Sequence, residues 1–150
     1  MALVVLAAWV VQAAAGVILL MRWLRRSEAL RRSEGLRRPS GRPASAVLTH
    51  VGLSVAGLAL WIAFLASGSV LPAWLAFAAI TVGNGLGDSL LIARGRRLTG
   101  ERRGFRADYG AAIVAVFRGR MPRVVTFHAL FAGVVWFACL GVCVGATVAA

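Results

Sequence analysis

Two histidines and one aspartate are the residues in this sequence whose types and positions suggest chemistry. His50 and His128 each lie in a long apolar stretch, and they are the only histidines among 150 residues. Asp88 is the one carboxylate within such a stretch. Ionisable side chains are costly in apolar surroundings, so those found there usually face the interior of a helical bundle or a cavity. All three are therefore candidates for a shared internal site.

His50 and His128 together match the ligand set of one cofactor. Two imidazoles from two facing helices are what a b-type haem needs to fill both axial positions of its iron. Basic side chains at the same end of the helices would contact the haem propionates, and Arg94, Arg97 and Arg123 are placed for that role. The sequence thus makes haem b the cofactor to test.

The same residues are also compatible with a metal site or with a purely structural role. His50, His128 and Asp88 form a weak candidate set for a metal ion, because no zinc motif such as HExxH accompanies them. Alternatively, each imidazole hydrogen-bonds to a neighbouring helix, as polar residues between membrane helices commonly do. In that case Asp88 is expected to form an ion pair with Arg94 or with another arginine.

These candidates lie in a chain that is too apolar for a water-soluble domain of its size. Hydrophobic residues make up 60% of it, and the mean hydropathy is +0.82. Four nearly uncharged stretches reach the roughly 20 residues that cross about 30 Å of hydrocarbon, where a helix satisfies its own backbone. We predict an all-α integral membrane protein with a single domain over 1–150. The predicted spans are about 2–21, 45–67, 70–93 and 124–149.

The charge pattern predicts how the spans are oriented. All 17 basic residues are arginines, in two blocks from Arg22 to Arg42 and from Arg94 to Arg123. Basic loops stay preferentially in the cytoplasm. We therefore expect loops 22–44 and 94–123 inside and both termini outside, in the inner (plasma) membrane of a bacterium. The net charge of +12 would attract anionic lipid headgroups. No nucleic acid is expected, because the arginines lie in loops between apolar stretches and are not interleaved with aromatic and polar side chains on one folded face.

The two halves of the chain share a pattern. Segments 41–50 and 119–128 both begin with Gly-Arg and end on a histidine, with a threonine and a proline between. Each half would be one inward helix, a basic loop and one outward helix. This predicts two duplicated helical hairpins in parallel repeat, which would place His50 and His128 at comparable depth.

Two further patterns concern packing. Apolar residues recur at three- and four-residue intervals in 105–117, which predicts a short amphipathic helix in the cytoplasmic interface, with its apolar face toward the acyl chains. Gly83 and Gly87 are four apart in the third span, as are Gly52 and Ala56 in the second. This interval lets helix backbones approach closely.

The sequence favours a supporting role over catalysis. HExxH is absent, and Gly-Asp-Ser-Leu at 87–90 lacks the turn and the partners of a hydrolase nucleophile, so we expect no enzyme activity of the chain alone. We expect a small four-pass membrane subunit or assembly protein. Its basic loops would dock a partner or anionic lipid, and its helices would pack against other membrane subunits or further copies. The alternative is a b-type cytochrome or haem-bearing electron-transfer subunit, with His50 and His128 as axial ligands.

Overall fold

The structure, a computed structural model, is all-helical in the residues that it describes, which are 1–33, 43–100 and 103–149. Five helices and no strand occur in these residues. The all-α prediction is confirmed for this part of the chain. The helices are α1 (Ala2–Ser33), α2 (Pro43–Ser67), α3 (Val70–Thr99), α4 (Phe105–Phe117) and α5 (Arg123–Val148).

Four of the helices are long and apolar enough to cross a membrane, namely all but α4. Two of them extend beyond the predicted spans, because α1 continues past Met21 to Ser33 and α3 continues to Thr99. Only 17 to 28% of the most apolar 18-residue stretch of each helix is buried in the bundle. Most of this apolar surface therefore faces outward, which is far more than a soluble monomer exposes and agrees with a membrane protein.

Glycines end two of the helices. Gly68 follows α2 with a φ of 69°, and its amide donates to the carbonyl of Phe64 at 2.9 Å. Gly100 follows α3 with a φ of 72° and donates to the carbonyl of Arg96 at 2.9 Å. A positive φ is costly for any residue with a Cβ atom. Glycine at these positions therefore fixes the tight α2–α3 turn and the end of α3.

The four long helices form a closed bundle. α2 packs most extensively against α3, and the contacts follow the cyclic order α1, α2, α3, α5 and back to α1. α2 and α5 therefore face each other across the bundle, while α4 packs against α3. We call the end that carries Arg22, Arg94 and Arg123 the basic end, and the end at the Ser67–Ser69 turn the hairpin end.

Two apolar clusters fill the bundle. The hairpin-end cluster joins all four long helices and includes the fully buried Trp61 and Val135. The basic-end cluster joins α3, α4 and α5 and includes Leu91 and Val125. His128 lies three residues after Val125 and seven before Val135 on the same helix. The fold therefore places this histidine between the two clusters.

Candidate functional site

The structure brings His50 and His128 together inside the bundle. Their ring centres are 6.0 Å apart, and the ring planes are inclined at 76°. His50 comes from α2 and His128 from α5, so the pair connects the two helices that face each other across the bundle. Both side chains are half-buried. The two histidines of the chain thus form one site.

A backbone carbonyl of α3 fixes the ring of His50. Nδ1 of His50 lies 2.8 Å from the carbonyl oxygen of Gly83. A carbonyl only accepts hydrogen bonds, so Nδ1 carries a proton, and in the neutral ring Nε2 is the nitrogen with the lone pair. One turn further along α3, a Cβ atom added to Gly87 would lie 3.3 Å from Cε1 of His50. The ring therefore rests against the glycine backbone.

The ring of His128 contacts a glycine of α1 in the same way. A Cβ atom added to Gly16 would lie 3.3 Å from Cε1 of His128. Nε2 of Gln12 donates to the backbone carbonyl of His128 at 2.8 Å. Each histidine ring thus contacts one glycine of a neighbouring helix, Gly87 for His50 and Gly16 for His128, at the same distance.

Three buried polar atoms of α1 and α5 have no hydrogen-bond partner within the described part of the chain. They are Nδ1 of His128, Oε1 of Gln12 and Oγ1 of Thr126. Gln12 as a whole is only 8% exposed. Leaving a buried polar group unpaired costs about 1–3 kcal/mol. The described residues therefore leave buried polar atoms of both His128 and Gln12 without a hydrogen bond.

The three arginines predicted to accompany the histidines lie nearer the basic end. Arg94 follows Gly87 by seven residues, about 10 Å along α3, and Arg97 is three residues further on. Arg123 precedes His128 by five residues, about 8 Å along α5. All three lie at the basic end of the bundle.

α1 and α3 bring four arginines into electrostatic range of one another. Arg94 interacts with the guanidinium groups of Arg22, Arg26 and Arg97. None of these four forms an ion pair with a carboxylate of the described residues. A group of like charges without counter-charge favours an anionic ligand. We call Arg22, Arg26, Arg94 and Arg97 the arginine cluster.

Asp88 does not join the histidines. It is half-buried on α3, and no group of three His, Cys, Asp or Glu side chains that could hold a metal ion occurs in the described residues. Asp88 also forms no ion pair with Arg94 in this part of the chain. The structure therefore brings the two histidines together and leaves Asp88 apart from them.

No family model, curated protein or solved structure matches this chain. The function of the site is therefore inferred from its own residues. Its most specific chemistry belongs to the histidine pair, because imidazole binds metals and carries protons near neutral pH.

The glycines that contact the histidines were not predicted as site residues. Gly16 lies six residues before Arg22, and Gly87 lies seven before Arg94. Each glycine thus stands at nearly the same distance before the arginine block of its half. Alignment of the two halves on Arg22 and Arg94 pairs Gly16 with Asp88, one residue past Gly87, so sequence alignment alone would not have paired these glycines.

Proposed function

We propose that the chain is a membrane-embedded b-type haem protein that transfers electrons, with His50 and His128 as axial ligands of the iron. The observation that carries this proposal is the 6.0 Å between the two ring centres. A metal ion lies about 2.0–2.1 Å from a bound imidazole nitrogen, so two rings on opposite sides of one ion have centres about 6 Å apart. An inclination of 76° is compatible, since each ring can turn about its metal–nitrogen bond.

The number of available ligands favours haem over a bare ion. No third His, Cys, Asp or Glu joins the pair in the described residues. Two imidazoles alone would leave most positions around a metal ion open. A porphyrin supplies four further nitrogens in the plane between the two axial ligands, so it completes the coordination without help from the chain.

The environment of the rings also supports axial ligation. The carbonyl of Gly83 accepts from Nδ1 of His50, and such a partner typically fixes the orientation of a metal-bound imidazole. Gly16 and Gly87 let one edge of each ring rest against a helix backbone, which restricts the orientation of the two imidazoles. The surface pocket beside Arg25 and the one between α1 and α5 are lined by residues other than the histidines. We therefore expect the helices to assemble around the haem as the bundle forms.

The arginine cluster supports an orientation for the haem. Its charge suits two propionate groups, and Arg94 and Arg97 lie on the helix that supports His50. Arg123 instead lines an open groove between α1 and α5, so the proposal assigns the propionates to Arg94 and Arg97. They would point to the basic end, which we place in the cytoplasm of a bacterial cell because arginine-rich loops stay inside.

The proposal includes a duplicated hairpin. Exchanging α1 with α3 and α2 with α5, as a parallel repeat requires, converts the contact of His50 with Gly87 into that of His128 with Gly16. The two contacts have the same distance of 3.3 Å, which supports the duplication. The Gly41-Arg42 pair that begins the first repeat lies outside the described residues. A haem held by equivalent ligands would lie on the axis of the repeat.

Filled axial positions determine what such a haem can do. His50 and His128 would hold a haem without leaving room for a substrate on its iron, and the haem would supply one-electron transfer. The chain itself would supply the two ligands, a buried environment and the propionate contacts. It would therefore pass electrons to a partner redox centre and would not be an enzyme on its own.

Absorption spectroscopy of the detergent-purified protein tests this proposal. After expression with a full haem supply, we expect one haem b per chain and a reduced-minus-oxidised spectrum of a low-spin, six-coordinate iron. His50→Ala and His128→Ala should each abolish this spectrum. Thr49→Ala, at an exposed neighbour of His50, should retain it and serves as the control. A colourless wild-type protein, or full haem content in both histidine variants, would contradict the proposal.

The basic end favours a second function that is compatible with the first. We also propose that the chain is a membrane subunit or assembly protein whose basic end docks a partner. The arginine cluster supports this, as do Phe105 and Phe117, which are 68% and 73% exposed at the ends of α4.

Native electrophoresis of mildly solubilised membranes should show an assembly larger than the chain, and the combined substitutions Arg22→Gln and Arg26→Gln should weaken this assembly. Migration as a single chain, unchanged by these substitutions, would contradict this function.

A further inference from the structure

An open groove runs along the outside of the bundle between α1 and α5. Val11, Ala14 and Ile18 line it from α1, and Val124 and Phe127 line it from α5. Its volume is about 390 Å³. Ala14 and the buried Ala15 beneath it create the hollow, because larger residues at these positions would fill the space between the helices.

The groove is apolar along its length and positively charged at one end. Arg123, the first residue of α5, is its one charged lining residue, and the side chain is exposed. Arg22 lies one helical turn beyond Ile18 on the same helix, so a second exposed arginine follows the groove. Neither arginine forms an ion pair with a described carboxylate. The occupant should therefore be an elongated apolar molecule with an anionic head.

We propose that this groove binds one acyl chain of an anionic phospholipid, whose phosphate is held by Arg123 and Arg22. The dimensions agree with a lipid of one leaflet. From Val11 to Arg22 the helix rises about 16 Å, and half of a hydrocarbon core of about 30 Å is about 15 Å. The acyl chain would thus lie along the groove through one leaflet, with its headgroup at the basic end.

The charge distribution distinguishes this occupant from others. A transmembrane helix of a second copy, or a neutral isoprenoid, would use the apolar wall but would leave Arg123 without a partner. An anionic headgroup uses both, and each arginine near the membrane surface contributes about 1 kcal/mol of attraction to anionic lipid. The site lies on the outer surface of α1 and α5, so it does not depend on haem at the histidine pair.

Native mass spectrometry of the purified protein tests the site. The protein is mixed with phosphatidylglycerol or with phosphatidylcholine of the same acyl chains, and bound lipid is counted. We expect one retained phosphatidylglycerol and weaker binding of phosphatidylcholine. Arg123→Gln should weaken phosphatidylglycerol binding about fivefold, which is the factor that corresponds to about 1 kcal/mol. Ala14→Phe should fill the groove and reduce the binding of both lipids.

Two matched variants serve as controls. Arg118→Gln removes an exposed arginine from the same end, and Ala7→Phe adds the same ring at an exposed position of α1 outside the groove. Both should bind phosphatidylglycerol as the wild type does. Equal binding of the two lipids, or equal effects of Arg123→Gln and Arg118→Gln, would overturn the proposal. A dimer that excludes lipid and is lost in Ala14→Phe would assign the groove to a second copy and would also overturn it.

Discussion

Gly57 is a position of close contact between α2 and α1. A Cβ atom added there would lie 2.9 Å from Cζ2 of Trp9 and 3.1 Å from its Cη2. Trp9 is only 2% exposed, and its ring centre lies 6.1 Å from that of Trp61. The indole is therefore held by its neighbours and cannot move aside without disturbing the hairpin-end cluster.

We predict that Gly57→Ala lowers the free energy of unfolding by about 1–3 kcal/mol, which is typical of an overpacked core. Titration of the purified protein with SDS, followed by tryptophan fluorescence, measures this. Gly52→Ala is the control on the same helix, because an added Cβ there meets nothing within 4 Å. Equal unfolding midpoints for the two variants would show that Trp9 moves aside without cost and would contradict the prediction.

These glycines also show which of the important residues could be predicted from the sequence. The histidines stand out by type, since polar residues are rare in the apolar stretches. Gly57 does not stand out among 17 glycines, and the predicted close-packing pair of α2 was Gly52 and Ala56, next to it. Whether a glycine is needed depends on the neighbouring side chain, such as Trp9, and only the packed bundle supplies that neighbour.

At the scale of elements, α4 is attached to α3 by Asp108. Oδ1 of Asp108 accepts from the backbone N–H of Arg103 at 3.0 Å, and Oδ2 accepts from Nε of Arg96 at 2.6 Å. The N–H of Arg103 and then the guanidinium of Arg96 hold the pKa of Asp108 below its usual range. The fold thus favours the carboxylate form. The stability that this form contributes is fully present above about pH 4 and is lost as the pH falls through the lowered pKa.

We therefore predict that acid releases α4 from α3. Hydrogen exchange of amides 105–117, corrected for intrinsic rates, should be constant from neutral pH to about pH 5 and should accelerate below about pH 4. Asp108→Asn should exchange faster already at neutral pH and show little further change in acid. The amides of α2 provide the internal reference. An acid response of the same size in Asp108→Asn would assign the effect to other groups.

The sequence predicts α4 as a helix but not the face by which it packs. Val116, on the predicted apolar face, is buried, whereas Phe105 and Phe117 are mostly exposed and Ala112 faces α3. A Cβ atom added to Gly95 would lie 3.0 Å from Cβ of Ala112, so this contact admits only small residues. The close contact between Gly95 and Ala112 and the ion pair of Asp108 with Arg96 determine which face of α4 is buried against α3. The periodicity of apolar residues reveals neither interaction. The interfacial location of α4 remains a prediction.

At the scale of the whole molecule, the helices were predictable and their arrangement was not. Each span follows from the length and apolarity of a local stretch. The cyclic order of the helices depends on which face of each is buried, and in a membrane both faces are apolar. On α3, for example, Leu71 is exposed while Ile80 is buried. The side-chain type therefore does not indicate the direction of the bundle core.

The orientation of the bundle in the membrane is the last property that the charges predict. Short loops rich in arginine are preferentially retained in the cytoplasm when a chain is inserted, so the charges predict that the basic end lies inside. We predict that Ser69→Cys, at the hairpin end, reacts with a membrane-impermeant maleimide in intact cells. Arg118→Cys, at the basic end, should react only after permeabilisation.

The chain provides its own background control for this labelling. Cys139 and Cys143 are free but fully buried in the hairpin-end cluster, so the wild type should remain unlabelled in both conditions. Ser69 and Arg118 are both exposed, so the reagent can reach both cysteines, and the change in labelling of each variant on permeabilisation reports the side of the membrane. Rapid labelling of Arg118→Cys from outside would reverse the orientation. The haem propionates and the lipid headgroup proposed at the basic end would then lie on the outer side.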